Sequence, residues 1–163
     1  MTEVVKTKSG INIIFDELDN ISTCSVGVFV KTGSKDEADN EAGISHVLEH
    51  MIFKGTPSRN YFQISEEIDY LGSSINAHTT KEQTVFFINV LSEYLNETLD
   101  ILFDIVANST IDKDELEKEK DVIIEEIRMY KDSPDDLVSE LNVSDAVSGQ
   151  YGKPIIGTEE SVR

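Results

Sequence analysis

Cysteine occurs once in this 163-residue chain, at Cys24; a single thiol excludes an internal disulfide framework and points to a reducing compartment. Basic residues are scarce: 14 lysines and arginines stand against 32 aspartates and glutamates, for a formal charge of −18. With no basic patch to neutralise phosphates, nucleic acid is excluded as a partner, and a cationic partner or basic peptide fits better. No apolar run approaches the length of a membrane span, and the N-terminal MTEVVKTKSGINIIFDELDN lacks the apolar centre of a signal peptide. The expected location is the cytoplasm or an organellar matrix. Repeats, low-complexity tracts and linkers are also missing, so the 39% hydrophobic content is expected to fill one core in one domain over 1–163.

Local patterns lay out the elements. Val4-Val5 and Ile11 to Phe15 read as strands around the turn at Ser9-Gly10, and Ser22 to Lys31 as a third, together an opening β-meander. Cys24 falls in that third strand as a small buried thiol. A helix capped by Asn40 or Ser45 and stopped at Gly55 follows, then a second from about Tyr61 to Leu71 with an apolar stripe of Phe62, Ile64, Ile68 and Leu71. Ser74 to Thr79 and Thr84 to Leu91 read as a strand pair, the polar first one an edge and the apolar second one buried. Ser92 is expected to cap a helix with Leu95, Leu99, Leu102, Phe103 and Val106 at helical spacing. Asp112 caps another running to about Lys131, and Ser133-Pro134 opens a shorter one. Strands, helices, strands, helices in that order predict an α+β layer, helices on one face of a mainly antiparallel sheet.

The chemistry centres on Gly43-Ile-Ser-His-Val-Leu-Glu-His-Met-Ile-Phe-Lys-Gly55. In a helix, His46 and His50 are about one turn apart and share a face, so both imidazoles can grip one metal ion, with Glu49 beside them to take a proton from water. Two histidines leave a catalytic zinc one protein ligand short. On a wheel of about 100° per residue, Glu119 lies almost on top of Glu126, and Val122, Ile123 and Tyr130 lie within about 60° of it. Both carboxylates thus occupy the apolar face, where they want a cation, either a metal or a basic side chain. Paired histidines and inward acids in one small domain make up a His, His, Glu set with a base.

The chain resembles the inverted-zincin M16 peptidases, the family of insulin-degrading enzymes, pitrilysin and mitochondrial processing peptidases. The resemblance starts at Gly33-Ser34 and runs through Asn40-Glu-Ala-Gly-Ile-Ser-His-Val-Leu-Glu-His-Met-Ile-Phe-Lys-Gly-Thr56. It continues in Ile75-Asn-Ala-His-Thr-Thr-Lys-Glu-Gln-Thr84, Glu119-Lys-Asp-Val-Ile-Ile-Glu-Glu-Ile127 and Tyr151-Gly-Lys-Pro-Ile-Ile-Gly-Thr158. It implies a LuxS/MPP-like metallohydrolase fold and a zinc metalloendopeptidase acting on peptides or unfolded polypeptide, with one Zn2+ per domain held by His46, His50 and Glu126. It implies Glu49 as general base, Glu119 as an acid supporting the ligands, and Asn76 and Ala77 as the edge on which substrate backbone docks. His78 stands where relatives often carry an aromatic residue and reads as a groove or surface residue. Gln150 replaces a histidine common there, and no ligand is lost. The family builds its chamber from homologous domains or a partner subunit, so a chain of this length is expected to be a truncated N-terminal catalytic domain, weakly active or inactive alone. A non-catalytic partner subunit and a non-proteolytic zinc hydrolase are the alternatives; the intact motif and the Asn76-Ala77 and Gly-Lys-Pro segments favour the peptidase.

Overall fold

The computed structural model describes residues 2–163. Strands β1 (Glu3–Lys6) and β2 (Asn12–Phe15) form an antiparallel hairpin, with Gly10 at φ 91° in the turn. The expected meander stops there. Strand β3 (Thr23–Val30) does not continue from β2 but pairs along its whole length with β5 (Thr84–Leu91), from Thr23 opposite Leu91 to Val30 opposite Thr84. The sheet order is β3-β5-β4, all antiparallel, with β4 (Ser74–Thr79) on the other side of β5. The reason is burial. β5 reads TVFFINVL and is covered on both faces for most of its length, so it takes the centre, and the eight-residue ladder it offers β3 exceeds anything four-residue β2 can supply. Polar β4 takes the edge, as its alternation predicts. Cys24 is half-buried on β3, packed against the main core.

Six α-helices among the described residues complete the fold: α1 (Ile44–Met51), α2 (Tyr61–Tyr70), α3 (Leu95–Asn108), α4 (Lys113–Asp132), α5 (Pro134–Ala146) and α6 (Glu159–Val162). Asn60 caps α2 reciprocally with Gln63, and Asp112 accepts from the Asp114 and Glu115 N–H groups to start α4. Pro134 opens α5 as predicted. Three local expectations are corrected. Gly43, not Asn40 or Ser45, is the residue from which α1 starts. Ser92 begins a 3-10 turn, Ser92–Tyr94, before the α-helix takes over at Leu95. Phe62 and Phe103, placed in apolar stripes, are 79% and 55% exposed, because the sheet covers only the faces carrying Ile64, Ile68 and Leu71 on and after α2 and Ile101, Leu102 and Ile105 on α3. No described helix is long and apolar enough to cross a membrane.

Two apolar clusters hold these layers. The larger joins Phe86, Ile88 and Val90 of β5 to α2 and α3; the smaller joins Ile123, Ile124 and Ile127 of α4 to Val162 of α6, with Val47 of α1 and Ile156 packed against it. A fully buried isoleucine contributes about 1.5–3 kcal/mol, so the second cluster is what presses α4 onto α1.

Arg59 clamps the loop before α2 to α3. Its guanidinium donates to Asp104 at 2.7 Å, Asp100 at 2.6 Å and Glu67 at 2.9 Å, and Asp104 also accepts from the Thr56 and Ser58 hydroxyls. The Ser58 hydrogen bond, with those of Asn108, Arg59 and Thr56 against opposing burial, holds the Asp104 carboxyl well below the usual carboxylate range. Because the folded pKa is depressed, this stabilisation is complete above the unfolded value of about 3.9 and is lost as pH falls below it. Arg59→Ala is expected to cost about 2–3 kcal/mol in urea unfolding at pH 7. Asp104→Asn should flatten the loss of stability below pH 4; an unchanged acid limb would remove Asp104 from the account.

Candidate metal centre

Helix α1 starts under tight constraint. Gly43 has φ 92°, and a Cβ there would meet the Ile156 carbonyl oxygen at 2.6 Å, so only glycine fits this left-handed, closely approached position. The buried Glu37 carboxylate reaches in from outside the helix: Oε2 accepts from the Gly43 N–H at 2.7 Å and Oε1 from the Ser45 N–H at 2.9 Å. Two otherwise unpaired donors are satisfied and a negative charge sits at the positive end of the helix. The segment around Ile156 is pinned nearby, since Asp39 accepts from Gln150 at 2.7 Å and Lys153 at 2.6 Å, and the Lys81 ammonium donates to the Lys153 carbonyl.

One turn along α1, the two imidazoles face α4 with ring centroids 4.6 Å apart. Glu126 Oε2 lies 3.9 Å from His46 Nε2 and 3.5 Å from His50 Nε2, and one ligand atom from each of these three residues falls within 4.8 Å of the others. A tetrahedral ion with bonds of about 2.0–2.1 Å holds its donors roughly 3.3 Å apart, so the donor set needs only a small closure to fit zinc. No lysine or arginine pairs with Glu126 among the described residues.

Glu119, 8% exposed, behaves differently. Its Oε1 lies 2.9 Å from His50 Nδ1 and its Oε2 lies 2.5 Å from the Lys54 ammonium. Burial pushes this carboxyl up, but hydrogen bonds from Lys54 and His50 outweigh it and leave it below the ordinary range. An ionised carboxylate only accepts, so His50 donates from Nδ1 and Nε2 is the nitrogen that faces Glu126. Burial first, then the neighbouring His50, holds His46 below the ordinary histidine value, a shift toward the neutral ring that a metal ligand needs. His46 Nδ1 is buried with no partner among the described residues.

Glu49 is half-buried beside the pair and points to β4, where its Oε2 accepts from the Thr79 hydroxyl at 2.6 Å. It opens onto a groove of about 490 Å3 lined by His46, His78, Lys81, Glu126, Tyr130 and Ile156 among others. Burial, then Glu126, raises the Tyr130 phenol. Among the described residues β4 pairs only with β5, which leaves its other edge open; the Ala77 N–H is met by the Asn76 side chain at 2.8 Å. His78 stacks edge-on against Phe87 at 6.1 Å and is outside the converging donors.

The sequence singled out His46, Glu49, His50, Glu119 and Glu126, and the fold gathers all five between α1 and α4. Asn76 and Ala77 stand on the open edge of β4. It did not single out Glu37, Lys54 or Thr79. Lys54 had a signal, since it follows His50 by four residues. Thr79 had the strand alternation that puts it with Ile75 and Ala77. Glu37 had none, because a loop acid carries no periodicity.

Residues 13–159 match the model of the insulinase family, peptidase family M16. The uncharacterized zinc protease YmxG of Bacillus subtilis is 43% identical over 157 residues, which is 95% of this chain and 38% of that protein. A probable mitochondrial-processing peptidase subunit beta of Arabidopsis thaliana is 35% identical over 99% of this chain and 31% of its own length. A Helicobacter pylori protease superposes with a TM-score of 0.91 at 26% identity, covering 99% of this chain and 40% of that one. The chain thus spans about two fifths, or less, of the length of these relatives. The α+β fold that gathers α1 and α4 is that of these peptidases, and the chain belongs to the M16 insulinase family.

Proposed function

We propose that this chain is the zinc-binding catalytic portion of a metalloendopeptidase that hydrolyses peptides or unfolded polypeptide segments. One observation carries the reading: His46, His50 and Glu126 converge their donor atoms with the Glu49 carboxylate alongside and an open groove in front. His46 and His50 would hold the ion through Nε2 and Glu126 through Oε2. When bound, zinc supplies Lewis acidity toward water and toward the scissile carbonyl. Glu49 takes the proton of the attacking water and returns it to the leaving amine nitrogen. Glu119 keeps His50 in the Nδ1–H tautomer, with Lys54 balancing its charge. Substrate backbone adds to the open edge of β4, where its carbonyl would replace the Asn76 side chain on the Ala77 N–H. The rest of the chamber is supplied by a further homologous domain or a partner subunit. The intact donor set and base speak against a non-catalytic partner role.

Purified protein is expected to bind one zinc per chain, to lose it to a chelator, and to regain peptide cleavage on zinc addition. The chain should be tested both alone and within a longer protein that contains it. The charge of −18 adds a preference: an Arg-rich peptide should be cleaved faster than an Asp-rich one at low salt, the gap narrowing as salt screens it. Failure to take up zinc would overturn the reading, and equal rates for both peptides would remove the preference.

A further inference from the structure

We propose that Thr79 is a positioning residue for the Glu49 carboxylate, its hydroxyl holding Oε2 so that Oε1 is the oxygen turned to the proton being taken. This rests on reading Glu49 as the base. The hydroxyl lies 2.6 Å from Oε2, a short bond to an acceptor 30 residues away on a different element. No described residue donates to Oε1. A glutamate side chain has three free torsions and is a poorly aimed base unless something restrains it, whereas threonine, branched at Cβ and set in a strand, is stiff.

Register explains why the restraint comes from this place. Along β4, Ile75, Ala77 and Thr79 are half-buried on the helix side while Ser74, Asn76 and His78 are exposed. Thr79 is the last residue of the strand and the one whose hydroxyl reaches α1, where the Ser45 carbonyl gives it a second, longer acceptor at 3.5 Å. Backbone docked on the open edge of β4 and the carboxylate that takes the proton are therefore positioned by one strand. That geometry links substrate position to base position through a single side chain.

The test compares Thr79→Val, which keeps shape and removes the hydroxyl, with Thr79→Ser, which keeps the hydroxyl. In the zinc-loaded full chain, Thr79→Val is expected to lower kcat about tenfold or more, the scale of one charge-assisted hydrogen bond, with KM and zinc affinity within about twofold. Thr79→Ser should recover most of the lost rate. Wild-type kcat in Thr79→Val overturns the proposal, as does a loss that serine does not recover or that accompanies lost zinc. Urea unfolding of Thr79→Val, Glu49→Ala and the double variant asks the same question without turnover. The two costs should be smaller together than their sum, and additive costs overturn the link. An inactive wild type would sink the peptidase reading alone, and the unfolding cycle then decides the Thr79–Glu49 link by itself.

Discussion

Glu49→Gln is expected to bind zinc as the unaltered protein does and to hydrolyse peptides about 10² to 10⁴ times more slowly, the range general acid–base catalysis contributes. Glutamine keeps the volume of the side chain, and its amide oxygen can still accept from the Thr79 hydroxyl, so the local packing should survive. What it cannot do is take a proton. The metal should stay because Glu49 is outside the three donors that converge, even though it neighbours His50 in sequence. Zinc content by elemental analysis, set beside a peptide-cleavage assay, checks both halves. A fully active variant would end the assignment of Glu49 as base, and a variant that lost its zinc would make the residue a ligand instead.

Glu126→Ala should lower zinc affinity by more than 100-fold, whereas Glu119→Gln should lower it by about 10- to 100-fold, the scale on which partners of ligands act. The two carboxylates lie seven residues apart on one helix face, yet their surroundings differ. Among the described residues the ion-pair contacts of Glu126 are the two histidines, so the metal-free protein should lose little stability when it is truncated. Glu119 is buried between Lys54 and His50, and replacing it strands a half-buried ammonium, at a cost of about 1–3 kcal/mol without any metal present. Chelator competition gives the first comparison and urea unfolding of the metal-free variants the second. Equal zinc affinities for both variants would contradict the division of roles.

Much of this centre is written in short-range pattern. The four-residue spacing of His46 and His50 needs only α-helical geometry, and the inward phase of Glu119 and Glu126 follows from seven residues spanning nearly two turns. The choice left open by that phase, metal or basic side chain, has a divided outcome. Glu119 has its lysine, in Lys54, while Glu126 has none among the described residues. Nothing in helix periodicity could separate them, because the lysine arrives from another element.

The strands show the same boundary. Residue type alone made β5 buried and β4 an edge, since β-branched and aromatic runs suit a strand covered on both faces and polar alternation suits a rim. Which strand lies beside β5 was outside its reach, and adjacency in the chain wrongly suggested that β2 and β3 would pair. Periodicity and capping chemistry act within a few residues and so are legible in one dimension. Pairing, ion-pair partners and orientation of the base depend on contacts such as His50 with Glu119, 69 residues apart, or Thr79 with Glu49, 30 apart. Those contacts exist only because burying β5 and the isoleucines of α4 closes the chain on itself, and that closure is where tertiary structure turned a list of candidate side chains into a site.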